Sequence, residues 1–145
     1  MSLPTESTPA HWVVYCDGTA TPNPGRMGLG AVITAPDGTR HLISHDTGER
    51  GCNNEAELRA LMLAVHTLRQ LGATALQIYS DNSIVIEQLD GRLARPVARL
   101  AALFDEARAL LKPFDSVSLR WIPRHRNDEA DALARAALAT GPAAR

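Results

Sequence analysis

The sequence predicts an α/β fold, a mixed five-stranded sheet with helices on its faces, in the element order βββαβααβα. Three observations lead there. Apolar runs in the first half flank a Pro36-Asp37-Gly38-Thr39 turn, which reads as part of an antiparallel meander. The second half alternates short apolar runs with helical periodicity, as strands joined by crossover helices do. No internal repeat divides the 145 residues, a length that suits one domain with a core of its own.

Each element has a local reason. Trp12 to Cys16 is continuously apolar, as a strand covered on both faces should be, and Thr21-Pro22-Asn23-Pro24-Gly25 is a loop by its turn residues. Leu29 to Ala35 and Arg40 to His45 read as the second and third strands. From Asn54, the residues Leu58, Leu61, Met62, Val65 and Leu68 recur at helical spacing until Gly72 stops the helix. Leu76 to Ser80 is a fourth strand. Asp81 or Asn82 then caps a helix containing Ile84 to Leu89, which Gly91 ends. Pro96 opens another helix, with Val97, Leu100, Phe104, Ala107 and Leu111 on its core stripe. Val117 to Ile122 is the last strand. Asn127 or Asp128 caps a final helix that turns Ala130, Leu133, Ala134, Ala137 and Leu138 inward.

Composition bounds the function. Hydrophobic residues make up 45% of the chain, enough to fill a core, while the formal charge of −1 argues against a strongly electrostatic grip on nucleic acid. Basic residues do cluster locally, as Arg92, Arg95 and Arg99 and as Arg120, Arg124 and Arg126. The first group reads as a solvated face; the second, beside acidic residues, suits phosphate contacts. Cys16 and Cys52 do not make a disulfide framework or a zinc site, and Cys16, in an apolar strand, reads as an inert buried thiol. Residues 1–10, rich in Ser, Thr and Pro, read as a disordered tail, 11–140 as the folded domain and 141–145 as a loose end. Neither a signal peptide nor an apolar run of membrane-spanning length is apparent, so the expected location is cytoplasmic.

Four acidic stretches carry the chemistry: Tyr15-Cys16-Asp17-Gly18-Thr19, Asn53-Asn54-Glu55-Ala56-Glu57-Leu58, Tyr79-Ser80-Asp81-Asn82, and Asn127-Asp128-Glu129-Ala130-Asp131. A crossover from the first strand to the fourth can lay them parallel and adjacent, with Asp17 and Asp81 ending them at the carboxyl edge where open α/β sheets bind ligands. Glu57, in the first helical turn, shares a face with Leu61 and Leu68, and Asp131 borders the apolar face of the last helix. Each acid has an ordinary explanation: a strand-end turn for Asp17, a helix cap for Asp81, a helix dipole for Glu55 and Glu57, an Arg135 ion pair for Asp131. Glu55 and Glu129 keep theirs. Four separate ordinary explanations leave the convergence on one rim unexplained, and anions gathered there repel unless a cation lies between them. The pattern reads as a magnesium-dependent nuclease site.

Two look-alikes fail on residues. Asp128-Glu129-Ala130-Asp131 has the spelling of a helicase motif, but no G-x-x-x-x-G-K-[ST] loop accompanies it. Asp17-Gly18-Thr19 is similar to the haloacid-dehalogenase motif, which needs an aspartate where Tyr15 stands.

The order of Asp17-Gly18-Thr19, Asn23-Pro24-Gly25, Gly28-Leu29-Gly30, Asn53 to Leu58, Ser80-Asp81-Asn82 and Asn127 to Ala134 resembles the ribonuclease H family, type 1 branch, over nearly all of Trp12 to Leu138. The resemblance implies a ribonuclease H-like fold and endonucleolytic hydrolysis of the RNA strand of an RNA–DNA hybrid. It implies two Mg²⁺ ions, or Mn²⁺, held by the catalytic carboxylates Asp17, Glu57, Asp81 and Asp131. It also points to His125 as a catalytic residue and to Asn23, Asn53, Asn54 and Arg124 as substrate contacts; no protein partner is implied. The chain departs from the family in lacking a basic, Trp-rich protrusion and the hybrid-binding domain of some relatives. The segment around His125 is short, and Cys52 replaces a frequent Thr. This reads as a trimmed subtype. Two other readings are a nucleic-acid-binding module of the same fold with weak turnover, and a same-fold nuclease with another substrate.

Overall fold

The strand order is β3-β2-β1-β4-β5, in a computed structural model that describes residues 10–91 and 98–139. The strands are β1 (Trp12–Thr21), β2 (Gly25–Thr34), β3 (Arg40–Gly51), β4 (Ala75–Ser80) and β5 (Ser116–Trp121). The helices are α1 (Asn53–Gln70), α2 (Ser83–Leu89), α3 (Ala101–Leu111) and α4 (Asp128–Ala139), with 3₁₀ turns at Ala98–Leu100 and Arg124–Arg126. The β1–β2 and β2–β3 pairs are antiparallel, and β1–β4 and β4–β5 are parallel. This is the meander followed by two crossover strands that the pattern implies. The helix start expected at Pro96 and Val97, the arginines at 92 and 95, and both chain ends lie outside the described residues.

The strand ends differ from expectation in an instructive way. The first strand does not stop at Asp17. It continues to Thr21 because β2 goes on pairing with it, out to Thr21↔Arg26, whereas the parallel β4 leaves at Tyr15↔Tyr79. Asp17 therefore lies just past the point where β1 loses one neighbour, and a polar side chain there opens into a cleft. The third strand likewise runs on to Gly51, across an irregularity in register between Arg26 and Gly28. Gly72 and Gly91 follow α1 and α2 at φ +87° and +75°, the left-handed conformation that glycine adopts without steric cost.

Helix α1 lies on one face of the sheet with α3 against it, and α4 covers β1, β2 and β3 on the other. The α1 stripe of Leu58, Leu61, Val65 and Leu68 is buried against Val14, Leu76, Ile78 and Phe104. On α4, Ala130, Ala134 and Ala137 are buried while Leu133 and Leu138 are only half-buried, so small residues form the seam. The seam is tight: a Cβ at Gly30 would stand 2.3 Å from the Ala130 carbonyl oxygen. Glycine on β2 thus lets α4 settle close enough to hold Asp131 near the strand that carries Asp17.

Candidate active site

Gly18 sets the first contact of the site. A Cβ there would lie 2.2 Å from the Ala56 carbonyl oxygen and 2.6 Å from the Glu57 backbone nitrogen, so only glycine admits the start of α1 against β1. That approach puts Glu57 beside Asp17. Asp81 follows β4, the parallel neighbour of β1, and reaches the same point: Asp17, Glu57 and Asp81 each present a carboxylate oxygen within 4.8 Å of the others. Asp131, in the first turn of α4, lines the same cleft of about 450 Å³ with Asn53, Arg124 and Arg135. Among the described residues this trio is the one set of acidic, His or Cys side chains so closely gathered.

The electrostatics follow from that crowding. Burial raises the Asp17 carboxyl well above the usual carboxylate range, to about 7; a side-chain hydrogen bond from Glu57 lowers it, and the charges of Asp81 and Asp131 raise it further. Burial also drives Glu57 upward, and the Asp17 charge adds to it. Burial and mutual repulsion thus favour holding a proton between the two acids when no cation is bound. Glu57 Oε1 is buried without a hydrogen-bond partner. An acceptor-only oxygen held there, in an all-carboxylate donor set, fits a hard divalent cation.

Neighbouring side chains fix the acids in place. Asn127 is 1% exposed, and its Nδ2 donates to the Cys16 carbonyl at 2.9 Å and to Asp81 Oδ2 at 3.0 Å. Its backbone carbonyl accepts from Asp131 N at 3.1 Å, so one residue links β1, Asp81 and the start of α4. The expected cap of α4 is therefore a backbone matter; the Asn127 side chain faces the site instead. Arg135 Nε lies 3.1 Å from Asp131 Oδ2 and holds that carboxylate from the next turn. The Trp121 indole N–H donates to the Asp81 carbonyl at 3.1 Å. As expected, Cys16 is a buried free thiol, and burial raises its pKa.

The asparagines expected to meet substrate first brace the backbone. Asn23 Oδ1 accepts from Asn53 N at 3.1 Å, and Asn53 Oδ1 accepts from Ala20 N at 2.8 Å, tying the β1–β2 turn to α1. Asn54 Oδ1 accepts from Asn82 Nδ2 at 2.8 Å, while Asn82 Oδ1 caps α2 by accepting from Val85 N at 3.0 Å. Of Asn23, Asn53 and Asn54, Asn53 lines the cleft. Cys52 caps α1, with its sulfur accepting from Glu55 N at 3.4 Å. His125 is exposed in the 3₁₀ turn before α4, and from that turn it is Arg124 that lines the cleft.

A family model described as "Reverse transcriptase-like" matches residues 15–137. A ribonuclease H of Cupriavidus pinatubonensis is 31% identical over 144 residues, covering 88% of this chain and 95% of its own length. The chain belongs to the ribonuclease H family. A bifunctional protein of Mycobacterium tuberculosis is 37% identical over 127 residues, which are 87% of this chain but 35% of that protein, so the chain spans about a third of this longer relative. Among solved structures, an RNase H1 named LC11, in complex with RNA/DNA hybrid, superposes at a TM-score of 0.80 with 27% identity, covering 88% of this chain and 96% of the other. The sheet order and helix placement are those of a ribonuclease H fold. No helix among the described residues is long and apolar enough to cross a membrane.

Proposed function

We propose that this ribonuclease H family member hydrolyses the RNA strand of RNA–DNA hybrids as a metal-dependent endonuclease. The observation that carries the reading is the gathering of Asp17, Glu57 and Asp81 within 4.8 Å, with Asp131 on the wall of the same cleft. A relative of the same fold that binds an RNA/DNA hybrid supports the substrate class.

Two Mg²⁺ ions, replaceable by Mn²⁺, are the proposed cofactors, with Asp17, Glu57, Asp81 and Asp131 as their ligands. When bound, such ions supply the positive charge that offsets the attacking and departing oxygens of an in-line phosphodiester displacement. The protein's own contribution is placement. Gly18 and Gly30 allow α1 and α4 to approach, Asn127 orients Asp81, and Arg135 orients Asp131. Arg124 is proposed to meet a phosphate at the cleft mouth as a charge-assisted donor. Asn53 has its Oδ1 engaged by Ala20, which leaves its amide N–H group for a sugar hydroxyl. Asn23 and Asn54 act mainly by holding that corner. His125, exposed in the turn that carries Arg124, is proposed to exchange a proton during turnover without being indispensable, since imidazole can both accept and give protons near neutral pH. RNA is distinguished from DNA by contacts to 2′-hydroxyls across the wide minor groove.

The test is a substrate panel. End-labelled RNA–DNA hybrid, DNA duplex, single-stranded RNA and RNA duplex are incubated with the protein and Mg²⁺. Cleavage confined to the hybrid is expected. Equal cutting of the DNA duplex would favour a same-fold nuclease of another substrate class, and binding without cutting would favour a binding module.

A further inference from the structure

We propose that Trp121 is a substrate-binding residue, whose exposed ring face packs on the sugar and base of an RNA-strand nucleotide next to the scissile phosphate. The inference rests on the hybrid-nuclease reading and adds a contact to it. Trp121 ends β5, the edge strand of the sheet, and is 52% exposed. A single exposed apolar side chain is ordinary on a protein surface; what sets this indole apart is its place beside the carboxylate cleft with its polar end fixed. Its polar end is already engaged. The indole N–H is fixed on the carbonyl of Asp81, the carboxylate-bearing residue at the centre of the cleft, so the ring is held in one orientation.

The surroundings define what the ring meets. Trp121 lines a hollow of about 360 Å³ with Ser83, Ile86 and Glu87, and Ser83 also lines the carboxylate cleft. The hollow is thus a continuation of that cleft past the start of α2. Ile84, 40% exposed on the same helix, lines the carboxylate cleft and adds apolar surface there. The Glu87 carboxylate repels phosphate and accepts hydrogen bonds, so this wall suits a ribose hydroxyl or a base edge rather than the backbone anion. Aromatic faces pack on bases and sugars with little regard to sequence, because every base has an apolar π-face. This gives the chain an apolar grip beside its reactive centre.

The experiment has two arms. In kinetics on a fixed RNA–DNA hybrid, Trp121→Ala is expected to raise KM about tenfold, while Trp121→Phe, which keeps a ring but loses the N–H, keeps KM within about threefold and lowers kcat instead. In the second arm, Trp12→Phe leaves Trp121 as the sole tryptophan, since the chain has two. Its fluorescence is titrated with the same hybrid in EDTA, and binding is followed independently by the anisotropy of a label on the hybrid. A fluorescence change that tracks the anisotropy is expected, and this arm holds even if Trp121→Ala fails to fold. A KM for a folded Trp121→Ala within twofold of wild type, or hybrid binding with unchanged Trp121 fluorescence, would overturn the inference and leave the nuclease reading standing. A chain that neither binds nor cuts the hybrid would overturn both.

Discussion

Replacing Asp17 by Asn should make the metal-free protein more stable at neutral pH, even though it should end catalysis. Asp17 is 5% exposed, and without a cation its carboxyl titrates at about 7 against a reference of 3.8. The folded state therefore binds the proton more tightly than the unfolded chain does. By linkage, the stability this provides is fully present below about pH 4 and is lost as pH rises to about 7. The interval is about 3 pH units, equivalent to roughly 4 kcal/mol at 1.36 kcal/mol per unit. Relaxation and the proton shared with Glu57 make this an upper bound. For a chain of this size, each kcal/mol moves Tm by roughly 2–4 °C. Melting curves in EDTA between pH 4 and pH 8 should show wild-type Tm falling by several degrees more than that of Asp17→Asn, with Mg²⁺ restoring the wild type alone. A pH dependence in EDTA that is identical in the two proteins would refute the picture of crowded, mutually repelling acids.

Other perturbations separate placement from chemistry. Asn127→Ala leaves the Cys16 carbonyl and Asp81 without their shared donor, so stability should fall by about 1–3 kcal/mol and kcat should drop with it, checked by urea denaturation and initial rates. Gly18→Ala forces a Cβ into the backbone of Ala56 and should cost roughly 3 kcal/mol or more while abolishing cleavage; a folded, fully active variant would mean that α1 can retreat freely. His125→Ala should lower kcat roughly 10²- to 10⁴-fold, and a loss below threefold would return this residue to an ordinary surface turn. Hybrid affinity should weaken with salt, with a slope below that of a protein contacting about six phosphates; a steeper slope in a salt series would reveal a further basic surface.

The fold was legible because periodicity and turn residues act locally. Leu58 to Leu68 mark one helix face, Pro36-Asp37-Gly38 marks a hairpin, and Gly72 and Gly91 end two helices in the conformation their sequence context implies. The convergence of Asp17, Glu57 and Asp81 was legible from topology, since a crossover makes β1 and β4 neighbours. The length of β1 was not. Thr19, Ala20 and Thr21 suit a strand or a loop equally, and the continued pairing with β2 decides. The role of Asn127 was hidden for a similar reason, because an asparagine before a helix reads first as a cap, and only tertiary packing turns its amide onto Cys16 and Asp81. Trp121 reads as one more apolar residue of a strand running from Val117 to Ile122. Its exposure and its bond to Asp81 depend on β5 being an edge, which no local pattern encodes.

The most direct test is a strand-resolved cleavage assay. One RNA–DNA hybrid carries different labels on its two strands and is incubated with Mg²⁺ and either wild type or Asp81→Asn, with EDTA in parallel. Internal cuts in the RNA strand alone, leaving 3′-hydroxyl and 5′-phosphate ends, are expected from the wild type, with none from Asp81→Asn or in EDTA. Cutting of the DNA strand, or RNA cleavage that survives excess EDTA or the loss of the Asp81 carboxylate, would contradict the account.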